Sequence, residues 1–164
     1  MLCSAKIYAA IAQGSGFFQH GHTYLGHPVA AAAALAVIDE IERQELVSKV
    51  AALGPTFLST LSTRLAEHPY VGNIRGRGFF AGVELVADKA TKQPLNPSLK
   101  IHAKLKQRAF ENGLMIYPMG GTIDGQSGDH VLLAPPFIAS RAELGEITEL
   151  LCNTLDDVFA ECMS

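Results

Sequence analysis

At 164 residues, with 48% apolar side chains and a formal net charge of −3, the chain has the bulk of one ordinary globular domain and enough apolar material for a core. Its basic residues are dispersed, which argues against a nucleic-acid surface. Its longest unbroken apolar run, Val29 to Ile38, is about half the roughly 20 residues a membrane-spanning helix needs. Cys3, Cys152 and Cys162 are too few, and odd in number, for a disulfide framework, and Met1 to Lys6 lacks the apolar core of a signal peptide. A reducing cytoplasm is the compartment that fits.

The first predicted element is a short helix from Ser4 to Ala12. Ser4 is a suitable N-cap, Ile7, Tyr8 and Ile11 share a face, and Gly14 ends it. Lys6 lies at its start and reads as solvated. Next comes Phe17-Phe18-Gln19-His20-Gly21-His22-Thr23-Tyr24-Leu25-Gly26-His27-Pro28, dense in histidines and aromatics. Pro28 favours the first position of a helix, where its missing N–H costs nothing. The stretch therefore reads as a loop feeding a helix N-terminus, a place suited to an anion. Three readings stay open on the residues alone. It is a phosphate-holding loop, with the Thr23 hydroxyl as donor and Gly21 and Gly26 allowing close approach. Or it is a metal site of His20, His22 and His27, although zinc sites usually add Cys or carboxylate ligands at short spacing. Or it is a packed surface loop.

A strong helix follows, Val29 to Gln44. Its first half is apolar all round, the pattern of a helix buried on every side, and charge appears from Asp39. From Glu45, Leu46, Val50, Leu53, Phe57, Leu61 and Leu65 recur at helical spacing. Pro55 interrupts this face and predicts a bend or a lost backbone bond near Gly54. His68-Pro69 closes the helix.

Val71 to Val86 changes character, with two strands predicted over 71–77 and 79–86, punctuated by glycines. Gly76-x-Gly78-x-x-x-Gly82 resembles a dinucleotide fingerprint only superficially, since strand formers follow where a helix should open. Arg75 and Arg77 are expected to pair with neighbouring acidic groups rather than with a ligand carboxylate. Asp88 to Pro97 is a surface loop. Ser98 to Asn112 is an amphipathic helix, its Lys100, Lys104 and Arg108 face solvated and Gly113 its cap. A strand is expected over 114–117, then a glycine-rich loop over 118–129, then a strand over 130–134 stopped by Pro135-Pro136. Ser140 with Glu143 has capping-box spacing, and Leu144, Ile147, Leu151, Leu155 and Val158 give the last helix its buried stripe. Strands set within a helix-rich chain predict a two-layer α+β arrangement.

Phe18-x-His20-Gly21-x-Thr23-Tyr24-x-Gly26-His27-Pro28 closely resembles a signature of the class III aminotransferases, the ω-transaminase branch of the fold type I enzymes that use pyridoxal phosphate. Val71-Gly72-Asn73-Ile74-Arg75-Gly76-Arg77-Gly78, Ala81 to Val86 and Gly128 to Pro136 match in order, so the resemblance covers essentially the whole chain. It implies an α+β fold: a small C-terminal domain with a short, mainly antiparallel sheet and covering helices over 45–164. Residues 1–44 would be the end of the large cofactor domain. It implies pyridoxal 5′-phosphate as cofactor, an amine or amino acid and a keto acid as partners, and a homodimer. Thr23, with His22 beside it, would contact the cofactor phosphate held in the neighbouring subunit. Tyr117 and the 118–129 loop would form the rim of the substrate pocket. Tyr117 stands where some amine transaminases carry a mobile arginine, and Leu132-Leu133 where some relatives carry an arginine for an α-carboxylate.

Transamination needs an amine to hold the cofactor and move protons, and a carboxylate for the pyridine nitrogen. In relatives both lie upstream of the stretch this chain resembles, and no lysine here has the matching context. No catalytic residue and no metal ligand is therefore assigned. The chain is expected to be a C-terminal portion of an aminotransferase, inactive alone. The alternative is a non-catalytic remnant acting as an interaction or oligomerisation domain. The Val29–Ile38 helix should pack on the absent large domain and, left alone, expose an apolar patch that drives self-association.

Overall fold

The computed structural model describes residues 3–163, and within them the chain falls into two compact units, one up to Ile41 and one from Glu42 onward.

The first unit holds helix α1 (Ala5–Gln13), an irregular stretch, and most of helix α2 (Pro28–Arg43). Ser4 caps α1 as expected, its hydroxyl accepting the Ile7 N–H at 3.4 Å. No residue of α1 or α2 is buried. Val29, Leu35 and Val37 are 70%, 61% and 59% exposed. The apolar run forms the predicted helix, and within this chain its apolar side chains are exposed, as expected of a helix left without the large domain. Periodicity reports what a helix is suited to pack against, not whether this stretch of chain supplies it.

The second unit is a two-layer α+β structure. Four strands, β1 (Val71–Arg77), β2 (Phe80–Leu85), β3 (Tyr117–Met119) and β4 (Asp129–Leu133), form one sheet in the order β1-β2-β4-β3, every pair antiparallel. Helices α3 (Leu46–Arg64), α4 (Ile101–Glu111) and α5 (Arg141–Cys162) back one face. Strand alternation makes that face with Ala81, Val83, Leu85, Val131 and Leu133, all buried, against Phe57 and Leu61 of α3, Leu105 of α4, and Leu151 and Leu155 of α5. The alternate residues, Phe80, Gly82, Glu84, His130 and Leu132, point to the other face. Ser140 and Glu143 complete the predicted capping box: the Ser140 N–H donates to the Glu143 carboxylate at 2.7 Å and the Glu143 N–H to the Ser140 hydroxyl at 3.2 Å.

Several boundaries differ from expectation. Helix α3 runs from Leu46 to Arg64 with Pro55 inside it, as the single helical pattern predicts, but ends before the expected His68-Pro69; Leu46, Gly54, Phe57 and Leu61 are its buried residues. Gly54 is where α3 meets the β1–β2 turn: a Cβ there would lie 2.6 Å from the Gly78 Cα. Gly78 itself needs its positive φ of 60° to make that turn, so the three-glycine spacing serves a hairpin and opens no helix. The helix expected from Ser98 is split, with a short 3-10 turn over Pro97–Leu99, then Lys100 at φ 51°, then α4. Its basic face is not merely solvated. Arg108 pairs with Asp157 at 3.4 Å, Glu111 at 3.5 Å and Glu161, and these carboxylates raise its pKa further. The strand expected over 114–117 lies instead over 117–119. The Leu114 N–H closes back on the Ala109 carbonyl at 2.8 Å and its side chain joins the core, so pairing begins only at Tyr117. Pro118 is tolerated because β3 is an edge strand.

Candidate functional site

The stretch from Ser15 to His27 folds by local hydrogen bonds. The Ser15 hydroxyl accepts from the Phe17 N–H at 3.3 Å, and the Phe18 ring meets His20 edge-on at 5.6 Å. Two turns follow in succession: the Leu25 N–H reaches the His22 carbonyl and the His27 N–H the Tyr24 carbonyl, each at 3.0 Å. Gly26, at φ 72°, occupies the position of the second turn that asks for a left-handed backbone. Thr23 is at the centre of the first turn and is exposed, and its hydroxyl has no partner among the described residues. His22 is exposed next to it. A Cβ added at Gly21 or Gly26 would meet nothing within 4 Å.

His27 has a role the sequence reading did not give it. Its Nδ1 accepts the Ala30 N–H at 3.3 Å and its carbonyl the Ala31 N–H at 3.0 Å, so it is the cap of α2. With Pro28 lacking a donor, Val29 keeps the first-turn N–H left without a partner among the described residues. The helix end is thus a weaker anion site than its sequence implies, and the side chains of Thr23 and His22 are the main donors on offer. Among the described residues no three His, Cys, Asp or Glu side chains converge as metal ligands would. His20, His22 and His27 are not gathered around one point: His27 is committed to its cap and to an edge contact with Tyr24 at 5.4 Å.

Tyr117 belongs to the second unit. It is 63% exposed, on the edge strand, and pairs with Leu132, which points away from the helices. The glycine-rich loop beyond it is ordered by its own bonds. The Asp124 carboxylate accepts the Gln126 and Ser127 N–H groups at 2.9 and 2.6 Å, which lowers its pKa. The Thr122 N–H reaches the Gly128 carbonyl at 3.2 Å. Where the loop rejoins the sheet, the buried Asp129 carboxylate lies 2.9 Å from His102 Nδ1 and accepts the His102 N–H at 3.3 Å. This pair was not legible in the sequence, because its members are joined only by the packing of α4 on β4. Arg75 bonds Asn73 at 3.1 Å and lies 3.7 Å from Glu84, the acidic pairing expected of it.

A short antiparallel sheet backed by helices is the architecture this chain shares with part of the fold type I pyridoxal-phosphate transaminases. The chain superposes on a PLP-bound aminotransferase mutant from Vibrio fluvialis with a TM-score of 0.80 at 35% identity, covering 96% of this chain and 33% of that one. It is 44% identical over 146 residues to an uncharacterized aminotransferase of Schizosaccharomyces pombe, covering 89% of this chain and 31% of that protein. It is 32% identical over 159 residues to the putrescine–pyruvate aminotransferase of Pseudomonas aeruginosa, covering 97% of this chain and 33% of that protein. The family model for class-III aminotransferases matches residues 1–155, and the chain belongs to that family. It spans about a third of the length of the curated relatives it matches.

The donor set fits one end of such a cofactor. A neutral hydroxyl and an imidazole on an exposed turn, with open space over two glycines, suit a phosphate group. No lysine of the chain lies in this turn, so the amine that would hold the aldehyde end is not part of it.

Proposed function

We propose that this chain is the phosphate-contacting turn and C-terminal domain of a class III transaminase that moves an amino group from an amine or amino acid to a keto acid. Residues 1–44 are then the end of the large cofactor domain and 45–164 the small domain. The single observation that supports the cofactor role is the Thr23 hydroxyl, exposed at a turn and without a partner among the described residues. Pyridoxal phosphate, when bound, supplies the electron sink on which amino transfer depends. This chain's part is to donate from Thr23 and His22 to the phosphate of a cofactor held in the partner subunit of a dimer, and to border the substrate with Tyr117. The named relative that uses putrescine and pyruvate supports an amine donor and a keto-acid acceptor. The odd number of cysteines, with Cys152 buried and its thiol pKa raised by that burial, supports a reducing cytoplasm.

The chain alone is expected to be inactive. Purified chain incubated with pyridoxal phosphate, treated with borohydride and digested should show no lysine labelled in preference to the others by mass spectrometry. Stoichiometric labelling of one lysine, with turnover of putrescine and pyruvate, would overturn that reading. In an assembly that does turn over, Thr23→Val should weaken cofactor affinity by about tenfold, the value of one charge-assisted hydrogen bond.

A further inference from the structure

The glycine-rich loop between β3 and β4 is bonded to itself and joined to the fold at its two ends. Residues 122–126 are exposed. Among the described residues, the hydrogen bonds of 121–128 run within the loop. The Gly125 N–H reaches the Gly121 carbonyl at 2.9 Å and the Ile123 N–H the Ser127 carbonyl at 3.0 Å. The Thr122 N–H and hydroxyl both donate to the Gly128 carbonyl at 3.2 Å, and the Asp124 carboxylate accepts inside the same turn. A loop closed in this way moves as one piece. Its orientation is set where it leaves β3 and where it enters β4, and one side chain, His102 of α4, stands at both places.

At the exit, the buried Asp129 carboxylate accepts twice from His102, from its backbone N–H at 3.3 Å and from Nδ1 at 2.9 Å. A carboxylate accepts and does not donate, so the proton of the second bond belongs to Nδ1. Lys100, at φ 51°, gives α4 no side-chain cap, and Asp129 takes that place from across the fold. At the entry, a Cβ on Gly120 would lie 2.4 Å from His102 Nδ1 and 2.7 Å from its Cε1. The φ of Gly120 is not positive, so the backbone does not ask for glycine there; the imidazole does. The ring cannot swing aside without giving up its bond to Asp129, and a buried acceptor that loses a donor is costly. We infer that His102 is a positioning residue: it clamps both roots of the 118–129 loop and so fixes where Tyr117 and the loop stand against the substrate. Thr122, Ile123 and Gly128 also wall the cavity on the open face of the sheet, so a turn of the loop about its roots alters that cavity. The substrate role rests on the reading of Tyr117 and the loop as the rim of the pocket; the clamp does not.

The clamp is tested on the ¹⁵N-labelled chain by amide order parameters. Those of Thr122, Ile123, Gly125 and Gln126 should be about 0.85, as in rigid backbone, and fall below about 0.6 in His102→Leu, while those of α5 stay unchanged. His102→Asn keeps an N–H donor for Asp129 and should restore most of the order. Gly120→Ala should loosen the loop as His102→Leu does, because its methyl displaces the ring, and should add nothing further in a His102→Ala chain, where that space is free. Gly120→Ala leaves both polar groups in place and makes the same test if His102→Leu does not fold. A loop equally ordered in His102→Leu, no rescue by His102→Asn, or an effect of Gly120→Ala that is the same whatever stands at 102 would each overturn the clamp. The substrate role is tested in an assembly that turns over putrescine and pyruvate. His102→Leu should raise KM about tenfold and leave kcat within about twofold, since the residue acts on a wall of the pocket and not on the reacting atoms. An unchanged KM with a loosened loop would overturn the substrate role and the rim reading with it, whereas the cofactor reading fails separately, on Thr23→Val.

Discussion

The first unit is the more apolar of the two, and the units do opposite things with their apolar side chains. In the second, Leu61, Leu105, Leu151 and Leu155 are fully buried between a sheet and three helices. In the first, a helix richer still in alanine, valine and leucine has no buried residue. An apolar run becomes a core only when strands and helices from distant parts of the chain close over it, and the free energy follows the area removed from water. The first unit instead leaves the side chains of its helices and its turn exposed.

The sharpest way to break this contrast is to truncate equivalent leucines. Leu151→Ala should cost about 2–5 kcal/mol in denaturant unfolding, whereas Leu35→Ala should stay within about 0.5 kcal/mol. A large loss at Leu35 would mean that the first unit is packed in solution after all. Next in size are the glycines of the second unit. Gly54→Ala drives a methyl against the Gly78 backbone and should cost about 1–3 kcal/mol, while Gly82→Ala, with ordinary contacts, should cost well under that. Smaller again is the cap of α5: Ser140→Ala should lose about 1 kcal/mol and lower the unfolding midpoint by a few degrees.

The least effect is one of pH. His68 is enclosed by Tyr70 and Phe159 beside the end of α3, and burial lowers its pKa below 6.5, only partly offset by Asp156 at 3.8 Å. The unfolded chain therefore binds this proton more readily than the folded one. Stability is present in full above 6.5 and falls as pH drops through the window between 6.5 and the lower folded pKa. His68→Gln should flatten that slope in midpoint-against-pH measurements. A slope of the opposite sign would mean that Asp156 dominates.

Most elements of this molecule could be read without coordinates because their causes are local. The Ser140 capping box, the Ser4 cap, Pro28 at the head of α2 and the stripe from Leu144 to Val158 each depend on residues a few positions apart. The exposed turn at Thr23 was legible for the same reason, since Gly26 and Pro28 fix its backbone. Where local rules compete with long-range packing they failed, as when the third strand moved onto Tyr117. The His102–Asp129 pair, the salt links of Arg108 and the pairing of Arg75 with Glu84 depend on register between strands and on helices docking from afar. Sequence determined the inventory of helices, strands, turns and family motifs, because backbone propensity and capping act within one or two turns of chain. Tertiary structure alone decided which face of the sheet stays open and which charges meet there, because contacts between residues far apart in sequence exist only once the sheet has formed.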